Sequence, residues 1–205
     1  ASLPELVSDF VDCYEQPYID SSGLPSMALC REVRKYVTVA LSGDGGDEFF
    51  GGYQRYDWFQ KALQAQRFPA TFRRLVGAAL PLIDRRRGPR LQQLLAAGDA
   101  AGLYAQLMRA WPLGSSQKIL SGVTADDAAS QQPFRDIFDR LSCDPISKAQ
   151  CADAMLYIPG DLQVKMDRAS MRHSLEVRSP LLDSRMTEFG ATLSTSVRTQ
   201  HGLKS

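Results

Sequence analysis

The sequence predicts a mostly α-helical chain with one or two short parallel β-strands. Apolar residues recur at helical spacing along most of the 205 residues. Only one short run, residues 36–41, has the β-branched and apolar composition of a strand. This run lies between two helical patterns and is followed by a glycine-rich segment, which is the order of elements in an α/β unit.

The start of the chain is predicted to form two helices joined by a loop. Residues 3–14 place leucine, valine and aromatic side chains on one helical face. Residues 15–25 contain the proline, glycine and serines of a loop. A second helix is expected over roughly residues 24–35, with Ser21 or Ser22 as its N-cap.

A strand is predicted over residues 36–41. Its sequence, YVTVAL, is nearly all apolar and is ended by Gly43. Such a run is typical of a parallel strand that is covered on both faces. Ligands of α/β proteins bind at the carboxyl ends of such strands, so a site is expected there.

The middle of the chain, residues 53–150, is predicted to consist of helices joined by short loops, because prolines and glycines interrupt its helical patterns. A further helix is expected over residues 146–157. We interpret the only basic run as a solvated loop rather than a functional patch. Its arginines are Arg85, Arg86, Arg87 and Arg90.

The composition excludes several functional classes. Hydrophobic residues make up 44% and charged residues 23% of the chain, as in ordinary soluble proteins. A net charge of +1 favours neither nucleic acid nor membrane as a partner, and no apolar run reaches the ~20 residues of a membrane helix. The cysteines form no CxxC pair, which argues against zinc and for a reducing, cytoplasmic location. They are Cys13, Cys30, Cys143 and Cys151.

The segment LSGDGGDEFFGGYQRY, residues 41–56, concentrates glycines and carboxylates after the predicted strand. Backbone N–H groups at Ser42 and Gly43 suit a nucleotide, and the carboxylates of Asp44 and Asp47 suit magnesium with substrate phosphates. A carboxylate here could also accept a proton. A tight strand-to-helix turn explains the same residues, and neither common nucleotide-binding glycine motif is present.

Three segments resemble the asparagine synthetase family. SGDGGDEFFGGY and KMDRASMRHSLEVRSPLLD are similar to its two long sequence signatures, and EQPYIDSSGLP is similar to a third segment. They occur in the family's order. The resemblance implies that residues 1–205 are part of one C-terminal synthetase domain, truncated on its N-terminal side. It also implies an α/β fold of the adenine nucleotide α-hydrolase type, with a PP-loop.

The resemblance further implies ATP-dependent amide synthesis. In this family ATP activates a carboxylate, such as aspartate or a relative, as an acyl-adenylate, and ammonia then attacks it. Magnesium accompanies ATP, and an N-terminal glutaminase domain supplies the ammonia. The resemblance also allows a homodimer.

The resemblance assigns roles to six residues. Asp47 matches an acid that holds magnesium with pyrophosphate, and Asp44 matches the position that contacts the intermediate and deprotonates ammonia. Lys165 matches a lysine that stabilises charge on the phosphates. The positions that match nucleotide contacts are Leu41, Ser42 and Gly43.

The remaining charges of the second long segment are interpreted as a buried, ion-paired scaffold, in which Glu176 pairs with Arg178 or Arg168, rather than as direct contacts to the substrate. His173 is expected to be structural, and Ser21 or Ser22 could approach the acyl substrate. The charged residues of this scaffold are Asp167, Arg168, Glu176, Arg178 and Asp183.

The chain contains no SGGxDSS pyrophosphate loop, and the sequence IDSSG at residues 19–23 does not match one. The isolated chain is therefore expected to bind ATP poorly and to be inactive. The alternative to an enzyme is a helical binding or scaffold module that keeps the family segments without catalysis.

Overall fold

A computed structural model describes residues 3–16, 18–85, 87–109 and 127–199. It is mostly helical with two short parallel strands, which confirms the predicted architecture. In chain order the elements are α1 (Leu3–Tyr14), α2 (Gly23–Val33), β1 (Val39–Leu41), α3 (Gly46–Phe50), α4 (Gln54–Ala65), α5 (Ala70–Ile83), α6 (Gly88–Ala96), α7 (Ala100–Met108), α8 (Asp127–Arg140), α9 (Pro145–Ala152), a π-helical segment (Asp153–Leu162), α10 (Gln163–Met171), β2 (Glu176–Arg178), a 3₁₀ turn (Pro180–Leu182), α11 (Ser184–Thr192) and α12 (Thr195–Thr199).

The chain divides into two compact units. Unit 1 comprises Ala1–Gly51 and Asp153–Ser194, and unit 2 comprises Gly52–Ala152 and Thr195–Ser205, each over its described residues. The three segments that carry the family resemblance lie in unit 1, apart from the last residues of the glycine-rich segment. The prediction that the whole chain belongs to one domain stays a prediction.

The two strands of unit 1 form a parallel pair over a small apolar core. Ala40 lies opposite Val177 in the register, and both side chains pack against the core. The ladder continues past β1, because the Ser42 amide donates to the Arg178 carbonyl at 2.9 Å. The buried members of the core come from α2, from α10 and from the residue that precedes β2: Met27, Cys30, Ala169 and Leu175.

The predicted strand differs from the observed one in length and burial. The amides of Tyr36 and Val37 donate to the Val33 carbonyl, so these residues continue the turn after α2 instead of joining the strand. Val39 and Leu41 are exposed, Leu41 by 72%. The prediction of a strand covered on both faces is therefore wrong for this chain, because α2 and α10 contribute core residues to one face only.

Helix α1 has the predicted bounds, but only some of its apolar residues are covered by the rest of the unit. Leu6 and Phe10 pack against the unit 1 core, and Tyr14 is fully buried. Leu3 and Val11 remain exposed, by 70% and 61%. Helical spacing located the helix but did not identify which half of the apolar stripe is covered.

In the described residues of unit 2 all regular secondary structure is helical, with short loops between the helices, as predicted for the middle of the chain. Its core is aromatic: the Phe59 ring packs edge-on against Tyr104, with centroids 5.0 Å apart. Arg85 and Arg87 are exposed, in line with a solvated run, whereas Arg86 lies outside the described residues. In the part of the chain that the structure describes, no helix is long and apolar enough to cross a membrane.

Candidate functional site

A hydroxyl pair joins the carboxyl ends of the two strands. Ser42 Oγ donates to Asp44 Oδ2 at 2.9 Å and lies 2.8 Å from Ser179 Oγ. Ser42 belongs to the first long family segment and Ser179 to the second. The structure therefore brings these two segments together at the strand ends, where α/β proteins bind ligands.

The glycines between β1 and α3 serve different purposes. Gly45 has a φ of 93°, and a Cβ placed there would lie 2.4 Å from Leu182 Cδ2. Its backbone conformation and the packing of the 3₁₀ turn both require glycine. A Cβ on Gly43, by contrast, would meet nothing within 4 Å. The backbone at Gly43 is therefore open to a ligand.

A groove of about 520 Å³ runs beside these strand ends, between the π-helical segment, α10 and β2. A second groove of about 520 Å³ shares Gln163, Val177 and Ser179 with it and is also lined by Leu41. Two of the predicted site residues thus face neighbouring grooves of unit 1. The polar residues that line the first groove are Asp44, Gln163, Asp167, Ser170, Glu176 and Ser179.

The two aspartates of the glycine loop, defined here as residues 41–47, do not project from one helical face. Helix α3 begins at Gly46, so Asp44 precedes it and Asp47 lies in its first turn. The Asp47 carboxylate is exposed and has no hydrogen bond or ion pair within the described ranges. Among the described residues, no three His, Cys, Asp or Glu side chains are placed to hold a metal ion.

This donor set fits magnesium that arrives with a polyphosphate. Magnesium is usually held by one or two carboxylates together with substrate phosphates and water, not by a complete protein cage. The free carboxylate of Asp47 and the half-buried one of Asp44 provide such ligands on one short loop.

Lys165 is buried, with 8% of its surface exposed. Its Nζ donates to Asp20 Oδ2 at 2.7 Å and to Ser22 Oγ at 2.8 Å. Lys165 does not line the groove that contains Asp44, although its neighbours Val164 and Met166 do. The fold therefore brings residue 165 into the same unit as the glycine loop but directs its ammonium to the loop between α1 and α2.

Asp20 is held in its charged form by these contacts. Burial by itself would raise the pKa of the Asp20 carboxyl, but hydrogen bonds from Lys165 and Ser22 outweigh it and hold the pKa below its usual 3.8. Asp20 Oδ1 accepts from both the amide and the hydroxyl of Ser22, each at 2.8 Å. Both oxygens of this half-buried carboxylate are therefore satisfied.

Two tyrosines attach the end of α1 and the loop after it to α10 and the π-helical segment. The Tyr14 hydroxyl donates to the Lys165 carbonyl at 2.8 Å, and burial raises the pKa of Tyr14 to about 12, so it stays a donor. The Tyr18 hydroxyl donates to the Asp161 carbonyl at 2.8 Å and to the Asp161 carboxylate. The rings of Tyr14 and Tyr18 stack, with centroids 4.6 Å apart.

Several expectations for the second long segment are wrong. The ion pair of Glu176 and Arg178 forms, at 2.7 Å, but on the exposed face of the sheet. Asp167 and Asp183 are also exposed. Arg168 is half-buried and donates to two backbone carbonyls at the end of α1. A pattern of charges among apolar residues indicated burial, but these charges occupy the solvent sides of short elements.

Ser22 occupies the N-cap position of α2 without a side-chain capping bond, because its hydroxyl is bound to Asp20 and Lys165. Sequence reasoning missed Asp20 and Asp161 as partners in this network. Asp20 was visible as an acid in the third family segment, but nothing in the sequence reveals that a lysine 145 residues away binds it.

The comparisons with known proteins agree on one family. The asparagine synthase family model matches residues 1–204. The glutamine-hydrolyzing asparagine synthetase 1 of Bacillus subtilis is 28% identical over 211 residues, which is 98% of this chain and 31% of that protein. A Mycobacterium bovis protein, provisionally named a glutamine-hydrolyzing asparagine synthetase, is 32% identical over 89% of this chain and 28% of its own length.

The chain thus spans about a third or less of the length of these relatives. A shorter match, of 41% identity over 84 residues, links it to a Methanocaldococcus jannaschii protein with the same provisional name and the number 2. No solved structure matches the chain.

Proposed function

The chain belongs to the asparagine synthase family, and from this premise we propose that the protein carrying it makes an amide from a carboxylate, using ATP and ammonia. The relatives are named for asparagine synthesis and glutamine hydrolysis. Aspartate is therefore the proposed acyl substrate, and glutamine the proposed source of ammonia.

The geometric observation that best supports this proposal is the open backbone at the end of β1. Gly43 has free space where a side chain would lie, and Asp44 beside it lines a groove of about 520 Å³. A nucleotide with its attached carboxylate needs an exposed backbone and a concave surface of this kind. The position agrees with the usual ligand site of α/β proteins.

The first proposed step is transfer of the adenylyl group to the substrate carboxylate. The carboxylate oxygen bonds to the α-phosphorus of ATP while the bond to the pyrophosphate oxygen breaks. Negative charge grows on the leaving pyrophosphate, so a fixed cation lowers the barrier. Lys165 is the proposed cation. The proposed nucleotide contacts are Leu41, Ser42 and Gly43.

Asp47 is the proposed magnesium ligand, because its carboxylate is exposed and free of protein partners in the described ranges. Bound magnesium would neutralise charge on the phosphates of ATP and on pyrophosphate. What the chain itself contributes is the position of this carboxylate in the first turn of α3, three residues after Asp44.

The second proposed step is attack of ammonia on the acyl carbon, with AMP as leaving group. The nitrogen becomes positively charged as the bond forms and must lose a proton. Asp44 is the proposed acceptor. It keeps one carboxylate oxygen free when Ser42 donates to the other, and it faces the groove.

The proposal is tested by exchange of labelled pyrophosphate into ATP, using the full-length protein with aspartate, other carboxylic acids and magnesium. Asp47→Ala should reduce exchange on the order of 100-fold, because one ligand of the metal–pyrophosphate complex is lost. Asp139→Ala removes an equally exposed aspartate from unit 2 and should change nothing. Exchange that is absent from the wild-type protein with every acid would favour the non-catalytic scaffold.

A further inference from the structure

We propose that Asp20 and Ser22 are positioning residues that hold the Lys165 ammonium in a fixed place for a phosphate-bearing ligand. This proposal deepens the proposed function and rests on it. It concerns the anchor loop, defined as residues 18–22, which family resemblance left with only a capping or substrate-contacting role.

The hydrogen bonds around Lys165 form a consistent set of donors and acceptors. Lys165 Nζ donates to Asp20 Oδ2 at 2.7 Å and to Ser22 Oγ at 2.8 Å. The Ser22 hydroxyl in turn donates to Asp20 Oδ1 at 2.8 Å. The serine therefore accepts from the lysine and donates to the aspartate, and each polar atom has the role that its chemistry allows.

One N–H of the ammonium remains available. A lysine ammonium has three donors, and the described residues occupy two of them. Lys165 lies on the face of α10 opposite the groove that contains Asp44, because Gln163, Asp167 and Ser170 line that groove and Lys165 does not. A ligand phosphate that approaches α10 from the side of the anchor loop could therefore accept the third N–H without displacing Asp20.

The anchor loop is itself attached firmly enough to act as a support. Its Tyr18 hydroxyl donates to Asp161 in the π-helical segment. At the end of α1, four residues before the loop begins, the Tyr14 hydroxyl donates to the Lys165 carbonyl, and Arg168 donates to the Tyr14 carbonyl at 3.0 Å. Loop and helix are connected on both sides of the lysine, so the ammonium has little freedom to move.

Stability alone is a weak reason to keep such a pair. Lysine is rarely buried, and replacement of a buried ion pair by apolar residues is often neutral or stabilising. Arrangement of the charge before the ligand arrives avoids reorganisation during the reaction, which is the main source of electrostatic catalysis. This role accounts for both the burial and the double hydrogen bond.

The first experiment measures the position of Lys165 without reference to activity. Folded full-length protein is reductively methylated, and modification of each lysine is followed by peptide mass spectrometry. Asp20→Asn and Ser22→Ala should each speed modification of Lys165 about tenfold, the equivalent of one lost hydrogen bond to a charged group. The exposed Lys61 is the internal reference. Unchanged reactivity of Lys165 in both variants would overturn the proposal.

A matched control is Asp9→Asn, which removes the carboxylate partner of Arg172 on the surface of the same unit. This variant should leave the modification of Lys165 unchanged. If it accelerates modification as much as Asp20→Asn does, a general loosening of unit 1 explains the result and the positioning role is rejected.

The second experiment measures pyrophosphate exchange with the same variants. Asp20→Asn should lower kcat on the order of 100-fold, as expected for a misplaced catalytic group, with little change in KM for ATP. Ser22→Ala should lower it about tenfold, and Ser22→Thr, which retains the hydroxyl, should restore it. Faster methylation of Lys165 with an unchanged kcat would overturn the positioning role.

The two proposals fail in different ways. A wild-type protein without exchange activity refutes the proposed function, and with it any catalytic use of Lys165. Wild-type exchange together with an unaltered Asp20→Asn variant refutes only the positioning role.

Discussion

The two ends of the candidate site are built in opposite ways. The glycine loop presents Asp47 to solvent without a protein partner in the described chain, and its Gly43 backbone is open. The Lys165 ammonium is enclosed and bound by Asp20 and Ser22. Asp47 is therefore left to pair with a ligand, whereas Lys165 is already paired within the protein.

The difference follows from what each charge needs. Water stabilises a solvent-exposed carboxylate, so it can stay unpaired in the absence of a metal ion at little energetic cost. A buried ammonium needs a partner in the protein, because desolvation of an unpaired charge is far more costly. We infer that a bound ligand would fix the positions of the Asp44 and Asp47 carboxylates. Asp20 and Ser22 already fix the Lys165 ammonium without a ligand.

The largest expected effect is a difference in the free energy of unfolding between variants at Lys165 and at Asp47. Lys165→Met leaves the Asp20 carboxylate without its cation in a site where the two side chains are only 10% and 17% exposed. We expect a loss of roughly 2–4 kcal/mol in the free energy of unfolding, toward the lower part of the range for buried pairs. Asp47→Ala should cost less than about 1 kcal/mol, because the side chain is solvated. Urea denaturation measures both.

The double variant Lys165→Met with Asp20→Asn is the matched control, because it removes the orphaned charge as well. It should be more stable than Lys165→Met alone. Equal costs for Lys165→Met and Asp47→Ala would mean that the two ends are held alike, contrary to the comparison.

A second expected effect lies within the glycine loop. Gly45→Ala places a Cβ 2.4 Å from the Leu182 side chain at a φ of 93° and should cost about 1–3 kcal/mol. Gly43→Ala meets open space and should leave stability within about 0.5 kcal/mol of wild type. Thermal unfolding measures both differences, and titration calorimetry with ATP measures nucleotide binding by Gly43→Ala.

Gly43→Ala has a further outcome because of the proposed nucleotide contact. It should weaken ATP binding in the full-length protein although it does not disturb folding. Gly45→Ala that is as stable as wild type would show that the loop is not fixed by the 3₁₀ turn, and that this end of the site is looser than its geometry indicates.

The local parts of this fold could be predicted from sequence, since they depend on spacing. Residues 3–14 form a helix as their apolar periodicity predicts, and a strand ends where Gly43 follows. The strand began late because Tyr36 and Val37 complete the turn after α2. Their β propensity was outweighed by local hydrogen bonds to the end of α2, which strand propensity alone does not anticipate.

The contacts around Lys165 could not be predicted in this way. They join Asp20 to a residue 145 positions away, and no periodicity or spacing connects the two. The family resemblance predicted a functional role for Lys165 but did not predict that Asp20 binds it. Conversely, Glu176 and Arg178 were predicted to be buried but are exposed. The sequence does not indicate which face of a short strand is solvated.

The smallest expected effect concerns His173, which follows α10 and contrasts with the buried, paired Lys165. Its Nε2 is buried and has no hydrogen-bond partner among the described residues. Burial lowers the pKa of His173 below 6.5; the nearby Asp9 carboxylate opposes this shift, and the Arg31 and Arg172 guanidiniums add to it.

Because the folded state holds His173 neutral, it binds fewer protons than the unfolded state below pH 6.5. Stability should therefore fall as the pH decreases from 6.5 toward the lower pKa of the folded protein. The Asp20 contribution should be lost only below pH 3.8, where the charged form that Lys165 and Ser22 stabilise becomes protonated. His173→Gln should flatten the upper window and leave the lower one. Urea unfolding as a function of pH decides this, and an unaltered slope below pH 6.5 in His173→Gln would show that a partner already satisfies this ring.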